Sequence, residues 1–272
     1  MDRPRRYTRS ARPPVVAVGT TVAAALLLGS SMAAAQTVEL PFAVGERLEY
    51  RVSTGKLGSI GQGVMTVEGP VEIRGTSTIV LRSDIHARVG FFKSTERSES
   101  WIDPVRMASL RYSKRVKGPF SGDDQRVELF ADHRWEDQRG RSGESPTAQP
   151  LDELSFIYYL RTIPLDADSE NRVVRHYDRE RNPITVRVLG RDTVRTKAGT
   201  FPTILVEMRV KDPQRYGGEG VIRIQFSDDA HRYPVRIESS VPVLGTAVLT
   251  LEAYVRPTSA LASHAGSASG EP

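Results

Sequence analysis

From Glu46 onward, apolar and polar residues alternate with a period of two. Leu48, Tyr50 and Val52 alternate with Glu49 and Arg51. Ile222, Ile224 and Phe226 alternate with Arg223 and Gln225, and Val235 and Ile237 with Arg236 and Glu238. Successive side chains of a strand point to opposite faces, so this pattern predicts strands with one buried and one wet face. Turn residues recur at short spacing, as in Arg74-Gly75-Thr76, Lys117-Gly118-Pro119, Ser121-Gly122-Asp123 and Tyr216-Gly217-Gly218. The glycines from Gly55 to Gly63 read as turn and bulge positions where a strand bends. The expected fold class is mainly β: an antiparallel curved sheet forming a half-barrel or a barrel-like sandwich.

One segment departs from the alternation. Residues 151–162 read as a central helix, with Asp152 capping its start and Arg161 suiting the negative end of its dipole. Leu151, Leu154 and Tyr158 form an apolar stripe at three- and four-residue steps, with Ile157 adjoining. Pro164 blocks continuation. Residues 140–150 before it read as a polar linker. The helix divides two strand-rich halves, each small enough that one shared core over residues 36–255 is expected. Residues 256–272, rich in Ser, Ala and Gly, are expected to be a disordered tail.

The N-terminus sets the compartment. Arg3, Arg5, Arg6, Arg9 and Arg12 precede an uncharged apolar stretch from Val15 to Met32, and Ala33-Ala34-Ala35 follows. A basic start, a short apolar core and small residues at the cleavage positions are the layout of a secretory signal peptide. Residues 1–35 are therefore expected to be removed, and the remainder to work in the periplasm without staying in the membrane. Five arginines and Asp2 in this segment carry four of the net five positive charges, leaving about one for the rest. That argues against nucleic acid as a partner, which would need a retained basic face. The absence of Cys excludes thiolate nucleophiles, redox pairs, thiolate metal sites and lipid attachment through an N-terminal Cys.

Candidate chemistry is sparse. The five histidines show no metal-ligand spacing, and neither a metal nor a cofactor is expected. Asp166-Ala167-Asp168 begins like a calcium loop, but Asn171 and Tyr177 occupy the positions that need Gly and a bidentate Glu. Gly58-Ser59-Ile60-Gly61 lacks the spacing of a nucleophile elbow. Asp228 and Asp229 are the best acid/base pair the sequence offers, although a turn stabilised by their own side chains explains them equally. Arg161 is expected to pair with Asp228 or Asp229 across the helix–sheet junction.

Four blocks resemble exported bacterial proteins of domain of unknown function 3108. They are residues 41–50 (Pro41 to Tyr50), the helix block Leu151–Leu165 with Tyr158-Tyr159-Leu160-Arg161, Gly190-Arg191-Asp192-Thr193-Val194 with Ala198-Gly199-Thr200-Phe201-Pro202-Thr203, and Phe226-Ser227-Asp228-Asp229 with Tyr233-Pro234-Val235-Arg236-Ile237-Glu238. Asp192 stands in the third block where Glu is the expected residue. The resemblance implies export and a mostly β fold; it carries no activity and no catalytic residue.

The reading these observations favour is a non-catalytic binding or assembly factor for an apolar or amphipathic envelope component, such as lipid or a lipoprotein segment. Its candidate contacts are Phe156, Tyr158, Tyr159, Arg161, Phe91 and Phe92, with the sheet curled over the helix. Two alternatives stand beside it. One is an envelope hydrolase acting on glycan or peptide through carboxylates such as Asp228 and Asp229; the other is a structural protein–protein interaction module.

Overall fold

The structure, a computed structural model, describes residues 40–118, 122–212, 218–241 and 245–257. The expected signal peptide and most of the expected tail lie outside the described residues. The first arm of the sheet runs β1 (Arg47–Thr54), β2 (Gly58–Ile73), β3 (Thr76–Val89), β4 (Phe92–Asp103) and β5 (Ala108–Lys117). It continues through β6 (Asp123–Leu129), β7 (Arg134–Asp137) and β8 (Ser142–Glu144), the last within the stretch expected to be a linker. After α1 (Glu153–Leu160) the second arm runs β9 (Glu170–Val173), β10 (Ile184–Thr196), β11 (Gly199–Asp212), β12 (Gly218–Ser227), β13 (Pro234–Val241) and β14 (Gly245–Val255).

Among the described residues the 14 strands form one antiparallel sheet in which sheet neighbours are consecutive in sequence, with a single exception near its centre. There β1 pairs with β14, Leu48 lying opposite Tyr254, so the first and last strands join the two arms. The short edge strands β8 and β9 do not meet, and the sheet stays curved and unclosed. The alternation read from the sequence is what buries it. In β1, Leu48, Tyr50 and Val52 point inward while Arg47, Glu49 and Arg51 are exposed. Pro234 opens β13, where no ladder donor is needed, and Gly199 with φ of +137° turns β10 into β11.

The chain between β8 and β9 crosses the inside of this curve. Ser109 N–H donates to Pro150 O at 2.8 Å, and Leu151 exchanges backbone hydrogen bonds with Arg175 and Tyr177 at 2.6 and 3.0 Å. Helix α1 is therefore held against both arms, and one core takes residues such as Leu81 and Ile102 from the first arm and Val206 and Phe226 from the second. The sequence predicts a single apolar stripe on the helix. That stripe of Leu151, Leu154 and Tyr158 is buried, and the curling sheet buries Phe156 and Leu160 with it, leaving Glu153, Ile157 and Tyr159 only partly exposed. Among the described residues, no helix is long and apolar enough to cross a membrane.

Candidate functional site

Two buried polar nodes fasten the helix. At its start, the Asp152 carboxylate accepts from Leu154 N–H and Ser155 N–H at 2.9 Å each. Its second oxygen accepts from the Ser100 and Ser109 hydroxyls at 2.5 and 2.7 Å. The Ser155 hydroxyl accepts from Asp152 N–H at 2.9 Å, completing a capping box. Burial pushes the Asp152 carboxyl up to about 6, against the opposing pull of these donors. A carboxylate beside two hydroxyls is the raw material of acid/base chemistry. Here Asp152, Ser100 and Ser109 are sealed in the interior, and the group works as a cap that ties α1 to β4 and β5.

Beside it, burial pushes Glu153 up, but Arg181 and then His176 and Lys114 outweigh that and hold it at about 2. Arg181 donates to its carboxylate at 2.6 Å. His176, shifted down by burial, stacks on Tyr177, and its Nδ1 accepts from Asp178 N–H at 3.0 Å. Among the described residues there is no group of three or more His, Cys, Asp or Glu that could hold a metal ion.

At the helix end, Arg161 does not meet Asp228 or Asp229. Its guanidinium forks onto Glu46, with Nη1 and Nη2 donating to the two carboxylate oxygens at 2.7 and 2.8 Å. Nη2 also donates to Pro41 O and His231 O, both at 2.9 Å. The rings of Phe42, Tyr158 and Tyr233 surround the cation at 5.1, 5.2 and 5.6 Å. The correction has a simple cause: each acidic residue of the expected pair is already committed. Asp228 sits at the surface and pairs with Arg191 at 2.9 Å. Asp229 accepts from the Ser227 hydroxyl and from His231 and Arg232 N–H at 2.9 to 3.0 Å, closing the turn between β12 and β13.

Glu46 was missed, yet the sequence contains its signal. It shares the parity of Leu48, Tyr50 and Val52, so the strand's own alternation puts it on the buried face. Arg161 likewise continues the Leu154–Tyr158 spacing of the helix. Two opposite charges, each in phase with an apolar face, require one another in an interior that penalises either alone.

The remaining candidates fall in two places. Phe156 and Tyr158 are core, and Tyr159 packs against Phe156 with Arg175 over its ring at 4.6 Å. Phe91 and Phe92 are far from them. Ser100, which bonds Asp152, and Phe92 are eight residues apart on β4, about 26 Å of extended chain. Phe91 occupies the two-residue turn between β3 and β4, where Gly90 takes a φ of +58°, and is 99% exposed. Phe92 is 53% exposed.

A hollow of about 310 Å³ runs beside this hairpin end, lined by residues that include Ile60, Gly61, His86, Arg88, Lys93 and Thr95. A second, of about 120 Å³, lies among Leu205, Arg223, Gln225, Arg236 and Glu238. No helix residue lines either. At Gly61 a Cβ would fall 1.9 Å from His86 O, so only glycine lets β2 and β3 approach this closely. The sequence reading of the Gly55–Gly63 run as a bend is thus joined by a second role, close backbone contact.

The four sequence blocks now have a common location. Pro41, Phe42 and Glu46 of the first, Tyr158 and Arg161 of the second, and Tyr233 with Pro234 of the fourth meet around one guanidinium, where the Tyr50 hydroxyl donates to Pro234 O at 3.0 Å. The third block joins through Asp228 N–H to Pro202 O at 2.8 Å. The profile of the family described as "Protein of unknown function (DUF3108)" matches residues 49–252. The chain belongs to the DUF3108 family. No curated protein matches it.

Among solved structures, this DUF3108 chain is similar to a beta-barrel-like protein of domain of unknown function DUF1849 from Brucella abortus. The TM-score is 0.56 at 10% identity, covering 80% of this chain and 99% of that one. That likeness shows a shared barrel-like fold. Looser matches are a candidate lipoprotein from Parabacteroides distasonis (TM-score 0.30, 10% identity, 79% and 97% covered) and a candidate exported protein with a YmcC-like fold from Bacteroides fragilis (TM-score 0.31, 13% identity, 80% and 98% covered).

Proposed function

We propose that this DUF3108 protein is an exported, non-catalytic binding or assembly factor that engages an apolar or amphipathic envelope component from its outer surface. The observation that carries the reading is the bare aromatic turn at Phe91, set against an interior filled by the helix. A ligand carried inside the curve would need the space that Phe156, Tyr158 and Leu160 occupy. In this reading those residues and Arg161 build the scaffold, while Phe91 and Phe92 make the contact. Residues 1–35 direct export and are cleaved, which puts the folded body in the periplasm.

Photo-crosslinking in the native envelope tests this. A photoreactive residue at position 91 is expected to capture an envelope lipid or protein. The same residue at position 105, which is 76% exposed in the turn after β4 at the other end of that strand, is expected not to. Equal capture from both positions, or none from 91, would refute the proposal.

A further inference from the structure

We infer that the β3–β4 hairpin end is a docking surface for an anionic phospholipid bilayer. The inference rests on the proposed function and names its partner. The apolar part comes first. Gly61 lies opposite Ala87, so extending the register brings Gly58 level with Gly90 and sets the β1–β2 turn beside the β3–β4 turn. Leu57, 50% exposed in the first, thereby joins Phe91 and Phe92 of the second at one rim.

The charge supplies the partner's chemistry. Arg88 lies directly opposite Lys93, and Lys117 on the next strand lies opposite Thr95, all on the face turned away from the helix. Like charges directly opposite one another on a sheet destabilise it unless something neutralises them. Lys56 adds a fourth exposed cation in the β1–β2 turn. Among the described residues none of these four has a carboxylate within ion-pair distance. Farther down the same strands, Arg97 pairs with Asp84 at 2.6 Å and Arg82 with Glu99 at 2.9 Å. Along β3 and β4, the cations without an ion pair among the described residues therefore lie at the end that also bares Phe91, and the hollow between Arg88, Lys93 and Gly61 opens there.

Apolar side chains at the tip with cations just behind them match the depth profile of a bilayer surface, where acyl chains lie beneath phosphates. A second copy of this chain would present the same cations and repel. An anionic bilayer satisfies both parts at once, and each cation near it strengthens partitioning roughly fivefold.

The test is vesicle co-sedimentation of the protein in the form the cell accumulates, always comparing variants of that same form. Vesicles of phosphatidylethanolamine and phosphatidylglycerol are expected to bind it, and phosphatidylcholine vesicles to bind it far more weakly. Arg88→Gln with Lys93→Gln should weaken anionic-vesicle binding about 25-fold, and added salt should bring the unaltered protein down toward that level. Phe91→Ser should weaken binding severalfold, whereas Val105→Ser at the opposite end should change nothing. All these side chains are exposed, so an unchanged melting temperature is expected and serves as the folding control.

Equal binding by all variants, or equal binding to both vesicle types, would overturn the inference. So would a concentration-dependent dimer that Phe91→Ser abolishes, which would assign this end to a second copy. A crosslink from position 91 to an envelope protein without vesicle binding overturns the bilayer and leaves the proposed function standing. Neither crosslink nor vesicle binding would overturn both.

Discussion

Arg161→Ala would leave the Glu46 carboxylate buried without its counter-charge and the carbonyls of Pro41 and His231 without a donor. Both side chains of the ion pair are shielded from solvent, so neither stranded group can recover its hydration. Breaking a buried pair by removing one partner costs about 3–5 kcal/mol, and Arg161→Ala, which also orphans two carbonyls, is expected to cost about 4 kcal/mol. In a domain of this size that corresponds to a melting point lower by about 8–16 °C.

Glu46→Ala is milder, at about 3 kcal/mol, because the cation keeps two carbonyls and three ring faces. If the two side chains act mainly on each other, the double variant loses about 5 kcal/mol rather than the roughly 7 of simple addition. Urea unfolding measures all four proteins, with an unchanged m-value as the sign that the denatured state is the same. A loss under about 1 kcal/mol for Arg161→Ala, or strict additivity in the cycle, would show that the pair is not the clamp described.

Asp152 makes stability pH-dependent in a direction opposite to that of an ordinary paired carboxylate. Its folded value of about 6 lies above the usual value near 3.9, so between those values the folded protein holds a proton that the unfolded chain has released. Stability is therefore lost as pH rises through about 4 to 6, by roughly 3 kcal/mol in total from this group. Asp152→Asn keeps an acceptor for the helix N–H groups and removes the titration. The variant should gain on the unaltered protein by up to that amount between pH 4 and pH 7, measured by denaturant unfolding at each pH; a flat difference refutes the assignment. Gly61→Ala drives a Cβ to 1.9 Å from His86 O and must part β2 from β3. A loss of about 2–3 kcal/mol by thermal melting is expected, and a neutral result would mean that the two strands are not so closely set.

The strands, the helix and its cap are local matters, and the sequence determined them. Period-two alternation names the inward residues of β1 because a pleated strand has no other way to sort its side chains. Asp152 before an apolar helical run states the cap because the first helical N–H groups need an acceptor. The presence of a buried charge on each of two elements was also legible, from the parity of Glu46 and the phase of Arg161.

Tertiary structure decided which partners met. Glu46 and Arg161 are 115 residues apart, and only the joining of β1 to β14 with the helix folded beneath them selects Glu46 over Asp228 and Asp229. The same geometry separated aromatics that look alike in the sequence. Phe156 lies where both arms converge and is buried, while Phe91 lies beyond the last paired residues of its hairpin and stays exposed. Composition marks both as apolar; the distance along β4 from the helix makes one a core residue and leaves the other at the surface.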